Sequence, residues 1–119
     1  MIEGGCFCGA VRIAIEEGDY PSVNCHCTMC RRIHAAPYVT WLVVPADGFH
    51  CVSGAPEKLA SSEKGARYFC SKCGSQVACV NDGHPEIVDV PVCCLDHPER
   101  FPPMSSIFAE KRLGWKEDI

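Results

Sequence analysis

From Ala10 to Glu16 the chain reads AVRIAIE, alternating apolar and polar residues with the two-residue period of a half-buried strand. Further short segments of the same kind follow. YPSVNC (20–25) predicts a second strand with Pro21 at its start or edge. YVTWLVVP (38–45) is rich in β-branched and aromatic residues and predicts a central strand. FHCVSG and EKLASS flank Gly54 and Pro56, which predicts a hairpin. ARYFC runs into an SKCG turn and SQVACV runs out of it. EIVDVPVCC (86–94) predicts another strand, interrupted by Pro91, and SSIFAEK one more near the end. One segment breaks the pattern. TMCRRIHAA (28–36) predicts a short helix that Thr28 caps and Pro37 ends. The C-terminal EKRLGWKEDI reads as a solvated end packed down by Trp115. The layout is all-β with one short helix, in a single domain spanning residues 1–119.

Composition then narrows the classes. Hydrophobic residues make up 47% of the chain, enough for a core, but at 119 residues an added staple such as a metal is a useful gain. The net charge is -4 and the basic residues are scattered, with Arg31 and Arg32 the only adjacent arginines, which argues against nucleic acid as a partner. No apolar run approaches the roughly 18 residues of a membrane-spanning helix, so no membrane role is expected. A homo-oligomer is compatible with an exposed sheet edge, and no residue specifies one.

Eleven cysteines change the picture most. Their number is odd, the opening MIEGGCFCGAV has no signal-peptide pattern, and they fall in tight CxC and CxxC pairs. Tight pairs in a reducing compartment read as metal ligands rather than disulfides, and the expected location is the cytoplasm. GGCFCGA carries Cys6 and Cys8; YFCSKCGSQ carries Cys70 and Cys73. Each pair is followed by glycine, which supplies the sharp turn a metal knuckle needs while backbone N–H groups reach the sulfurs. Two pairs close one tetrahedral zinc site that staples the first strand to a late hairpin; the alternative is ordinary buried thiols.

Cys25, Cys27 and Cys30 in CHCTMC are left as a triplet. Three thiolates with one open position form a catalytic arrangement; a fourth ligand from His26, His34, Cys51, Cys79, Cys93 or Cys94 would close the site and make it structural. Spacing alone leaves both open. His26 reads as a surface or supporting histidine, because neighbours on an extended chain face opposite ways. Cys51, Cys79 and Cys93 read as small core residues, Cys94 as facing away from Cys93, and His50, His84 and His97 are assigned no role.

GGCFCGAVRI, CHCTMCRR and YFCSKCGSQV together resemble the glutathione-dependent formaldehyde-activating enzyme family, which includes the centromere protein V type of domain. The resemblance covers nearly the whole chain, by motif from Gly4 to about Gln76, with all seven motif cysteines in order. It implies an Mss4-like zinc-binding fold of small antiparallel sheets, with structural zinc on Cys6, Cys8, Cys70 and Cys73 and catalytic zinc on Cys25, Cys27 and Cys30. It implies carbon–sulfur lyase or synthase chemistry on a glutathione–aldehyde adduct of the S-hydroxymethylglutathione type, with glutathione as co-substrate, and so favours the open triplet. Three thiolates make zinc a weak Lewis acid that can still take up and deprotonate a thiol. Arg31 or Arg32 could pair with a substrate carboxylate, or both belong to a solvated helix face. The competing readings are a non-catalytic zinc-stabilised binding module with both sites closed and, weakest, a nucleic-acid binder.

Overall fold

Alternation along the strands gives the larger of two sheets two working faces, one for the core and one for a cluster of cysteines. The computed structural model describes residues 1–81 and 83–115. In chain order the elements are β1 (Ile2–Gly5), β2 (Arg12–Ile15), β3 (Ser22–Cys25), α1 (Thr28–His34), β4 (Val39–Pro45), β5 (Phe49–Ser53), β6 (Glu57–Ser62), β7 (Gly65–Phe69), β8 (Gln76–Asn81), β9 (Ile87–Pro91) and β10 (Ser105–Ile107). A three-stranded sheet runs β1-β2-β5, and a seven-stranded sheet runs β10-β3-β4-β9-β8-β7-β6. The pairs are antiparallel except β10, which lies parallel to β3. The architecture is β-rich with one helix and is consistent with the Mss4-like type.

On β4, Leu42 and Val44 point to one side and Val39 and Trp41 to the other, as a two-residue period requires. Leu42 and Val44 join Val88 and Val90 of β9 and meet Ile13 and Ile15 of the small sheet, forming the main core. Each fully buried aliphatic side chain there contributes about 1.5–3 kcal/mol. On the opposite face Cys25, Cys30, Val39 and Trp41 form a second, smaller buried cluster. α1 lies over that face.

Several expectations are corrected. β5 and β6 do not form a hairpin: β5 pairs with β2 in the small sheet, and β6 pairs with β7 in the large one. Between them Gly54 (φ 79°) passes so close to the Ala10 carbonyl that a Cβ would sit 2.2 Å from its oxygen, so the chain changes sheets where only glycine fits. β1 was not predicted, because its sequence IEGG is half glycine. Gly4 is required there by close approach to the Cys94 carbonyl and Leu95. Cys27, not Thr28, caps α1, and the helix ends at Ala35 in the left-handed conformation. Pro91 ends β9, and Val92–Cys94 form a 3-10 turn instead of continuing the strand. Trp115 is 57% exposed and lines a groove with Thr28, Arg31 and Ala35 of the helix region; the charged end beyond it lies outside the described residues.

Candidate metal centre

The turn after β1 and the turn after β7 bring four sulfurs together. The ligand atoms of Cys6, Cys8, Cys70 and Cys73 all lie within 4.8 Å of one another, with Cys6–Cys8 at 3.6 Å and Cys8–Cys70 at 3.7 Å. The two turns share one construction. Gly9 N–H donates to the Cys6 carbonyl (3.2 Å) and Gly74 N–H to the Cys70 carbonyl (2.8 Å), and both glycines have φ above 80°. Val11 N–H donates to Cys6 Sγ at 3.2 Å. Ser75 Oγ accepts from Phe7 N–H at 3.0 Å and lies 3.3 Å from Cys73 Sγ, so it ties one turn to the other and can donate to the sulfur once that is a thiolate. The Ser75 hydroxyl and N–H pull the Cys73 thiol down to about 5. Cys8 has the Ala10 N–H favouring its thiolate, yet desolvation and the neighbouring sulfurs push it up to about 11. Four crowded thiols cannot all ionise without a cation. Donor number, donor softness and N–H support all fit zinc in a closed site.

The second set forms where β3 hands over to α1. Cys25 is the last residue of β3, Cys27 is the helix cap, and Cys30 lies in the first turn. Their sulfurs also lie within 4.8 Å of one another. The Cys27 backbone is extended (φ -64°, ψ 152°) and its Sγ accepts the Cys30 N–H at 3.2 Å, which serves as cap and ligand support together. Among the described residues this group has three members: none of the six candidate fourth ligands joins it. Hydrogen bonding with Cys25 lowers the Cys30 thiol against its burial, with help from Cys27 and Arg67, and Cys25 is raised correspondingly. The donor set fits a zinc ion with a free place.

A cavity of about 410 Å³ opens over this triplet. Its walls include Trp41, Arg67, Asp89 and Phe108. Arg67, Cys79 and Asp89 stand in register across β7, β8 and β9, so the pleat turns all three toward the cysteine face. Arg67 is 4% exposed. Its guanidinium lies 5.6 Å from the Trp41 ring centre and donates to Cys30 Sγ at 3.5 Å. Its Nε and Nη1 are buried without a hydrogen-bond partner. Desolvation raises the Asp89 carboxyl, and the Cys30 charge adds to it. Phe108, exposed at the mouth, holds the left-handed conformation (φ 52°), an unusual state for an aromatic residue. A larger groove of about 620 Å³ beside Tyr20 and Asp47 contains no cysteine.

The remaining candidates fall elsewhere. His26 is buried, not at the surface: β3 ends at Cys25 and the chain turns, so the imidazole tucks against Tyr38 with ring centres 5.3 Å apart. His34 packs edge-on against Trp41, where desolvation lowers its pKa. Cys51 and Cys93 are exposed, contrary to their reading as core residues, and Cys79 is half-buried beside the triplet. Cys94 is half-buried on the main-core side. His50, His84 and His97 are exposed beside Glu16, Glu86 and Glu99. Arg31 and Arg32 line a separate groove of about 470 Å³ and do not reach the cavity over the triplet. Arg67 and Asp89 were missed by sequence reasoning. The one local signal was an arginine in the apolar run ARYF.

The family model described as glutathione-dependent formaldehyde-activating enzyme matches residues 1–111. A Halomonas elongata protein, provisionally named as a glutathione-dependent formaldehyde-activating enzyme, is 28% identical over 126 positions, covering 98% of this chain and 80% of that protein. A crystal structure of a Rhodobacter sphaeroides protein shares the fold, with a TM-score of 0.73 over 89% of this chain and 100% of that one at 24% identity.

Proposed function

This chain belongs to the glutathione-dependent formaldehyde-activating enzyme family, and from that premise we propose that it is a zinc-dependent carbon–sulfur lyase or synthase acting on a thiol–aldehyde adduct, with glutathione and formaldehyde the first pair to test. The observation that carries this reading is the three-membered cysteine group beneath a cavity of about 410 Å³. In it, Cys6, Cys8, Cys70 and Cys73 hold a structural zinc, and Cys25, Cys27 and Cys30 hold a second one. When bound there, zinc supplies a Lewis-acidic fourth place at which a thiol loses its proton.

The chain's own residues do the rest. Trp41 and Phe108 give the cavity apolar walls, which orient a small substrate and limit water. Asp89 is the proton holder. In the forward direction its carboxylate takes the thiol proton, the sulfur bonds to the aldehyde carbon, and the carbonyl π pair moves to oxygen, which takes the proton back. Cleavage is the reverse, so no redox partner is needed. Desolvation of Asp89 brings its proton affinity closer to that of the groups it serves. The free state of all eleven cysteines suits this chemistry in a reducing compartment, which we take to be the cytoplasm.

The test is the visible spectrum of the cobalt-substituted protein with and without glutathione, joined to the exchange rate between glutathione, formaldehyde and their adduct measured by NMR. A spectrum that changes with cobalt retained, and exchange faster than the uncatalysed rate, is the expected result. Two four-coordinate sites that glutathione leaves unchanged would instead make this a closed zinc-stabilised binding module.

A further inference from the structure

We propose that Arg67 fits the Cys25, Cys27, Cys30 site for an anionic fourth ligand, a thiolate, in preference to a neutral one. The inference rests on the reading of that triplet as an open metal site. The placement of Arg67 is otherwise hard to account for. Its guanidinium is buried, makes one polar contact (Cys30 Sγ at 3.5 Å), and leaves Nε and Nη1 unpartnered. Burying a charge with so few partners is costly, so a nearby negative charge must offset it.

The cysteine triplet supplies that charge. Three thiolates around a dication leave one net negative charge, and a fourth thiolate leaves two, inside a site where Cys25 and Cys30 are buried. A neutral ligand adds nothing. The cavity also carries Asp89, whose carboxylate opposes a second anion until it holds the thiol proton. Among the described residues Arg67 is the one lysine or arginine lining the cavity; Arg31 and Arg32 belong to another groove. Buried His26 and half-buried His34 also flank the triplet, and desolvation favours the neutral form of His34. The guanidinium is a fixed charge and its effect does not depend on titration. Arginine suits the position better than lysine because its flat face lies over Trp41 while one edge reaches the sulfur.

The experiment compares three ligands on cobalt-substituted wild type, R67M and R67K: glutathione, 2-mercaptoethanol and imidazole. Both thiols bind as anions, but 2-mercaptoethanol has no carboxylate. In R67M we expect both thiols to weaken by roughly tenfold or more, in line with losing a charge-assisted contact. Imidazole should stay within about twofold, and R67K should recover most of the thiol affinity. R67Q is the second neutral replacement if R67M does not fold. Equal loss of thiols and imidazole, loss of cobalt from the triplet in both neutral variants, or weakening of glutathione alone would each overturn the proposal; the last would make Arg67 a carboxylate receptor. A wild-type spectrum that ignores all three ligands removes the open site itself, and the enzyme reading with it. A wild type that responds while R67M matches it removes only the role of Arg67.

Discussion

Gly9 and Gly74 adopt nearly the same backbone torsion, φ 83° and 81°, one in each turn around the same four sulfurs. An added Cβ would meet nothing within 4 Å at either position, so the cost of alanine there is torsional alone. A left-handed residue with a Cβ costs about 1–2 kcal/mol, less the smaller gain from a stiffer unfolded chain. G9A and G74A are each expected to lose about 1 kcal/mol of stability in urea unfolding of the zinc-loaded protein. Gly114 is equally open but not left-handed, so G114A is the control and should be near neutral. Equal stability of G74A and wild type would remove the argument.

Those turns were legible in the sequence because everything that makes them is local: two cysteines, then a glycine, within five residues. β2 and β4 were legible for the same reason, since AVRIAIE carries its own period and YVTWLVVP its own β-branched and aromatic residues. Pairing was not local. Gly54 and Pro56 mark a turn, but pairing of β5 with β2 decides where the strand goes, and the turn becomes a crossing between sheets. The same limit hid half of the candidate site. Cys25, Cys27 and Cys30 announce themselves in six residues. Arg67 and Asp89 reach the same face only through the register of β7, β8 and β9. Of the two readings of His26, the surface one fails because the chain turns after β3 ends at Cys25 and buries the ring.

The two cysteine sets should respond differently to loss of one ligand. Cys73 belongs to a cross-link between the first turn and a hairpin far along the chain. C73S is expected to release one metal equivalent and to lower the melting temperature by ~10 °C or more. Cys27 joins residues already adjacent, and serine is a favoured helix cap, so C27S replaces the ligand while keeping an acceptor for the Cys30 N–H. It is expected to release one metal equivalent, keep its melting temperature within a few degrees, and lose the cobalt response to thiols. Metal analysis and calorimetry check both. A C27S variant that melts as early as C73S would show that the triplet also holds the fold.

Ala35 closes α1 with φ 50° and ψ 48°, donating its N–H to the Arg31 carbonyl, in a position that glycine usually fills. The residue is exposed, so little packing is lost on removing its methyl group. A35G should therefore stabilise the protein by about 0.5–1 kcal/mol, the torsional relief exceeding the added freedom of the unfolded chain. Denaturant midpoints give the result. A destabilised A35G would mean that the Ala35 torsion carries no penalty.

Arg12 and Asp96, 84 residues apart, form a two-pronged ion pair, Nη1–Oδ1 at 3.1 Å and Nη2–Oδ2 at 2.6 Å, that ties β2 to the turn after Leu95. The hydrogen bond to Arg12 holds the Asp96 carboxyl below its usual range. Because the folded value lies below the unfolded one, the stabilisation is complete above the unfolded value of about 4 and is lost as pH falls through the folded value. The stability difference between wild type and D96N should accordingly be constant near neutral pH and shrink below about pH 4. Protonation of the metal-binding thiols affects both proteins and cancels in that difference. Both partners are more than a third exposed (36% and 40%), so high salt should shrink it as well. A difference that survives unchanged at about pH 3 and in about 1 M salt would assign the effect of Asp96 to packing and not to its charge.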